Sequence, residues 1–90
     1  MNILVVCGNG LGSSFIVEMN VKKVFKELNI DAEVSHTDLA TAKTEKADYY
    51  IGSHDLIHNL EDGKRKIIAL TNLLSQEELK AAIQKHIVEG

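Results

Sequence analysis

The sequence predicts a three-layer α/β domain, with helices on both faces of a four-stranded parallel sheet in the order 2-1-3-4. Short runs rich in Val and Ile alternate with helical patterns, the rhythm of βα units around a parallel sheet. The first run, Ile3 to Val6, is apolar at every position, as a central strand covered on both faces requires. Ninety residues hold four such units and leave no room for a second module, so residues 1–90 read as one domain. A chain of this size buries roughly 60–65% of its unfolded surface, enough for one modest core. Right-handed crossovers favour the order 2-1-3-4, which sets the C-terminal ends of strands one and three side by side. Open α/β sheets bind their ligands at that switch point.

Each element has its own signal. Strand one is Ile3 to Val6. Helix one is expected from about Ser13 to Leu28, with Asn29 as its stop. Val17, Val21, Val24, Phe25 and Leu28 fall within about a 100° arc and form its buried stripe. Strand two, about Ala32 to His36, alternates Ala32, Val34 and His36 with Glu33 and Ser35, the pattern of a half-exposed edge strand. Thr37 to Lys46 is polar and long enough for one turn of helix. Strand three spans Asp48 to Gly52. Ser53 is placed to cap a short helix from His54 to about Leu60. Asp62-Gly63 signals a turn before strand four, Lys66 to Leu70. The last helix opens on a Ser75/Glu78 capping box, with Leu74 and Leu79 at staple positions and Ile83 and Ile87 along its apolar stripe.

Composition removes several function classes. A net charge of −3, with ten basic residues not gathered into a tract, argues against nucleic-acid binding. A single cysteine excludes an internal disulfide, a CxxC redox pair and a four-cysteine zinc site, and suits a reducing, cytoplasmic setting. The opening residues move straight into a strand pattern, and no apolar run approaches membrane-spanning length, so neither a signal peptide nor direct membrane insertion is expected.

The chemistry gathers where strand one meets the segment CGNGLGSS, Cys7 to Ser14. Gly8, Gly10 and Gly12 allow the backbone to approach an oxyanion closely, so successive N–H groups can form an anion nest. A thiol at Cys7 would feel those amides and the positive end of helix one, both of which lower its pKa. The same donors, from Gly8, Asn9, Gly10, Leu11, Gly12, Ser13 and Ser14, would hold a phosphate carried on sulfur. Inert packing is the usual fate of a lone buried cysteine, but the glycines and serines that follow this one have no packing purpose. Ser13 and Ser14 also suit helix capping, which uses the same donors. A Walker A loop would need a lysine before its Ser/Thr, and the spacing GNGLG falls one residue short of GxGxxG.

The segment is similar to the cysteine loop of low-molecular-weight tyrosine phosphatases, in which cysteine and arginine flank five loop residues. Ser13 occupies the arginine position here. Without a bidentate guanidinium clamp, attack by water on a phosphocysteine is poorly stabilised, so the loop is expected to keep its phosphate. Across nearly its whole length the chain resembles the B components of the phosphoenolpyruvate-dependent sugar phosphotransferase system, in the lactose, ascorbate and galactitol group. The strand ILVV, the loop CGNGLGSS, the ADYYIGS of strand three and the NLLS before the final helix carry that resemblance, and CGNG followed by GSS is nearest the ascorbate-specific type. The resemblance implies a flavodoxin-like, broadly Rossmann-like topology shared with those phosphatases. It further implies a cytoplasmic carrier on which Cys7 accepts a phosphoryl group from a phosphohistidine of the A component. The carrier then delivers that group to a sugar, here ascorbate, handled by the membrane-bound C component, with which it associates peripherally. No cofactor or metal is implied. A phosphatase-like hydrolase and a phosphate-sensing module remain the alternatives.

Helix one carries more apolar surface than a single buried face needs. Phe15 and Met19 lie off the core stripe, Lys22 and Lys26 share their side, and Leu11 can join them. Two readings stand: a docking surface for donor and acceptor proteins beside Cys7, or cover for the sheet edge and the polar loop after strand two. His54 is expected to be solvated in the first turn of its helix. Cys7, His36 and His54 come from three separate segments without paired ligand spacing, which argues against a metal site.

Overall fold

The computed structural model describes residues 1–7, 11–72 and 75–88, with backbone alone at residues 7 and 11–14. Four strands, β1 (Asn2–Cys7), β2 (Glu33–Asp38), β3 (Tyr49–Ser53) and β4 (Ile67–Leu70), form one sheet in the order β2-β1-β3-β4. Every neighbouring pair is parallel. The expected topology, with strand two at an edge, is therefore the observed one. The helices are α1 (Leu11–Glu27), α2 (Leu39–Ala42), α3 (His54–Ile57) and α4 (Gln76–Ile83). A 3₁₀ turn, His58–Leu60, prolongs α3, and a π-turn, Gln84–Val88, prolongs α4.

Alternation along β1 explains its unbroken apolar run. Ile3 and Val5 join a cluster with Val17, Val21, Val24 and Phe25 of α1 and with Leu79 and Ile83 of α4. Leu4 and Val6 point the other way, against Ala42 of α2, Ile57 of α3 and Leu60. Both faces of the strand are thus covered. Each fully buried aliphatic or aromatic side chain in these clusters contributes roughly 1.5–3 kcal/mol of transfer free energy. Leu28 and Ile87 pack at the margin of the larger cluster, as the predicted stripes of both helices require.

Helix ends follow local chemistry. Asn29 stops α1 in the left-handed region, with φ 57°. The N–H of Ile30 reaches back to the carbonyl of Phe25 at 2.9 Å, and that of Asn29 to Lys26 at 3.1 Å, the paired bonds of a Schellman motif. Asp38 caps α2 by accepting from the Thr41 N–H at 2.7 Å. Gly63 supplies the positive φ, 79°, of the turn before β4.

Several boundaries differ from expectation. β2 runs Glu33–Asp38 rather than Ala32 to His36, because its ladder with β1 extends through Val6↔Thr37 and Cys7↔Asp38. Hydrogen bonding along a neighbour outweighs the polar character of Thr37 and Asp38. α1 begins at Leu11, two residues before Ser13, so the backbone of both serines lies within its first turn rather than ahead of it. Ser53 occupies the capping position of α3, but its hydroxyl makes no cap bond. The proposed Leu74 staple lies outside the described residues.

Candidate active site

Parallel strands place all four carboxyl ends on one edge of the sheet: Cys7, Asp38, Ser53 and Leu70. Cys7 ends β1 in register with Asp38, and α1 starts four residues later at Leu11. The backbone N–H groups of a helix's first turn lack intrahelical acceptors, and the macrodipole adds positive potential there. No acidic residue occupies the first turn of α1 to compete for them. Gly8, Asn9 and Gly10, which carry most of the expected nest, lie outside the described residues, as do the side chains of Cys7 and of Leu11 to Ser14.

The closeness of β1 and β3 at this edge depends on Gly52. A Cβ there would stand 2.9 Å from the Val6 carbonyl oxygen and 3.0 Å from Cδ1 of Ile57. A carbonyl one residue before Cys7 thus leaves no space for a side chain on the neighbouring strand. Composition could flag Gly52 only as the end of a strand.

Two polar groups near the edge already have partners. Asp38 directs its carboxylate into α2, and the Thr41 amide holds its carboxyl below the usual carboxylate range. Glu78 departs from the capping box. Its backbone N–H does donate to the Ser75 hydroxyl at 3.3 Å, but its carboxylate crosses to the loop after β4. There it accepts from the Thr71 N–H at 2.7 Å and the Asn72 N–H at 2.8 Å, which lower its pKa. Those two amides, just past the carboxyl end of β4, thereby donate to Glu78.

The histidines part company with any shared site. His36 keeps the face of Val34, as alternation predicts, and its Nδ1 lies 3.2 Å from the Glu18 carboxylate. Glu18 is only 9% exposed and also pairs with Lys22 at 3.6 Å. His54 is exposed, 3.9 Å from Asp55 and stacked on His58 with ring centroids 6.4 Å apart. The sequence gives no sign of the Glu18 pairing, since a lone acid six residues before the hydrophobic pair Val24-Phe25 carries no distinctive signal.

On α1, Phe15 is 56% exposed and Met19 54%. Each thus keeps about half of its surface open to solvent. Ile16, 50% exposed, joins them, an addition its spacing of three from Met19 allowed. Lys22 and Lys26 are exposed on the same helix.

Residues 2–85 match the family described as "PTS system, Lactose/Cellobiose specific IIB subunit". The chain belongs to this family, whose members are phosphotransferases that carry phosphoryl groups in sugar transport. Among individual relatives, it is 33% identical over 88 residues to the "Ascorbate-specific PTS system EIIB component" of Mycoplasma pneumoniae, covering 94% of this chain and 93% of the relative. The component of the same name from Shigella dysenteriae is 33% identical over 92 residues, covering 99% and 91% respectively. That of Shigella boydii is 35% identical over 78 residues, covering 83% and 77%. No helix among the described residues is long and apolar enough to cross a membrane.

Proposed function

We propose that Cys7 is the phosphoryl acceptor and donor of this carrier, moving phosphate from a phosphohistidine of an A component to an ascorbate-type sugar presented by a membrane C component. The observation that carries the reading is positional: Cys7 ends a central strand four residues before the start of a 17-residue helix, at the switch point of a 2-1-3-4 sheet. In the first step the thiolate attacks phosphorus in line, the P–N bond breaks, and the imidazole nitrogen keeps the electron pair. In the second a sugar hydroxyl attacks, the S–P bond breaks, and the thiolate leaves. Loop amides from Gly8 to Ser14 hold the non-transferring oxygens, and the dipole of α1 offsets their charge. Transfer between donors of similar potential depends on positioning, so a loop with Ser13 in place of an arginine suffices. The carrier works as one cytoplasmic unit and meets the membrane through the C component.

Support for ascorbate comes from the names of the relatives. The exposed patch of Phe15, Ile16 and Met19, bordered by Lys22 and Lys26, suits docking of the phosphorylated A component and, in turn, of the acceptor. Incubation with radiolabelled phospho-A component tests the carrier reading. Acid-labile, iodine-sensitive label retained on the chain, and lost in Cys7→Ala, is the expected result. Steady release of free phosphate would indicate a hydrolase, and reversible binding without covalent label would indicate a sensor.

A further inference from the structure

The amino edge of the sheet, opposite Cys7, carries an open groove of about 520 Å³ between the segment before β3 and the segment before β4. Its size is that of a small-molecule site. Tyr50 and Arg65 form its floor. Tyr50 is buried; its hydroxyl donates to the Glu45 carbonyl at 2.6 Å and accepts from the Ala47 N–H at 3.1 Å. Arg65 is fixed by bonds from Nη1 to the Leu60 carbonyl (3.1 Å) and Asp62 (3.2 Å), and from Nη2 to the Lys43 carbonyl (2.8 Å). Its guanidinium lies 5.7 Å from the Tyr50 ring centroid. These contacts leave Nε–H and one Nη2 N–H of the fork without a partner among the described residues.

The rim is basic. Lys43, Lys46, Lys64 and Lys66 join Arg65 around the groove against two carboxylates, Glu45 and Asp48, and Asp48 already accepts from the Asn2 N–H at 2.6 Å. Lys43, Lys46 and Lys64 form no ion pair among the described residues, while Lys66 lies 5.3 Å from the Tyr49 ring centroid. A chain of net charge −3 thus gathers half of its ten basic residues at one pole. A groove lined by five basic residues against two acidic ones has an excess of positive charge that raises the local concentration of anions.

We propose that this groove binds a small phosphate-bearing anion at a site distinct from the carboxyl edge, with Arg65 as its fixed donor and Lys43, Lys46 and Lys64 as mobile ones. Parallel strands of four to six residues separate the two poles by roughly 13–20 Å. Occupancy here therefore leaves the Cys7 edge free. The shared chemistry, a phosphate monoester or diphosphate, exists both as free metabolites and as lipid headgroups.

Titration of the full chain with inorganic pyrophosphate at constant ionic strength, followed by amide NMR, tests the site. Saturable shifts at residues 43–48 and 64–66 are expected, weakened at least about tenfold in Lys46→Glu/Lys64→Glu, which removes two charge-assisted contacts. Lys46→Gln/Lys64→Gln keeps the test valid should charge reversal disturb folding, and acceptance of phosphate from the A component should be unchanged in both variants. No saturable shift at these residues, or shifts confined to residues 8–14, would overturn the proposal. Cosedimentation with phosphatidylglycerol vesicles without pyrophosphate saturation would overturn the assignment to a free anion and give the groove to a lipid headgroup.

Discussion

Gly52 decides how closely β3 can lie against β1 beside Cys7. A methyl group there meets the Val6 carbonyl at 2.9 Å, and backbone cannot rotate aside as a side chain would. Gly52→Ala should therefore destabilise the fold by about 1–3 kcal/mol, the usual cost of overpacking, read as a lower urea midpoint with an unchanged slope. An unaltered midpoint would show that the edge yields freely, and the strand spacing would lose its place in the account. Sequence inspection could not give this residue its weight, because the obstacle is a carbonyl 46 positions away. Cys7 is the opposite case. Its position after an apolar strand and before glycines was legible without coordinates, since both signals are local.

Among the elements, α4 shows where local rules stop. The Ser75 cap formed as its spacing indicates, yet Glu78 left the capping box for the Thr71 and Asn72 amides. Two converging N–H groups outcompete the single one at Ser75, whose N–H instead bonds the Asn72 carbonyl at 3.1 Å. Periodicity placed the helix; it could not foresee a partner supplied by the preceding loop. The consequence is a pH dependence. The carboxyl groups of Glu78, Asp38 and Asp62 are all lowered on folding, chiefly by backbone N–H donors. A depressed folded pKa contributes stability that is present above the unfolded carboxyl range, about 3.9–4.3, and is lost as pH falls through the folded values. Glu78→Gln should be less stable than the parent at pH 7, with the gap closing near pH 3. Urea unfolding at both values checks this, and a gap that persists unchanged at pH 3 would remove the carboxylate from the explanation. β2 makes the same point about register: its Thr37 and Asp38 looked like loop, but pairing with Val6 and Cys7 drew them into the sheet.

At the scale of the whole molecule, the sheet order and two-sided core followed from βα rhythm and crossover handedness, whereas the distribution of surface over the two poles did not. One edge offers Cys7 with the apolar face of α1 nearby; the other offers the basic groove. The apolar face has a direct test. Phosphate transfer from the A component to Phe15→Asp/Met19→Asp should slow at least about tenfold, because each charge would be desolvated on docking, while the urea midpoint stays within error. Equal transfer rates would exclude the patch from the interface. The central claim is that the phosphoryl group resides on sulfur, and four histidines in the chain give it somewhere else to go. Tandem mass spectrometry of the chain after transfer from the phosphorylated A component, under conditions that preserve both thiophosphate and phosphoramidate bonds, distinguishes them. The account predicts the modification on the peptide containing Cys7 and its absence in Cys7→Ala; phosphate mapped to His36, His54, His58 or His86, and retained in that variant, would contradict it.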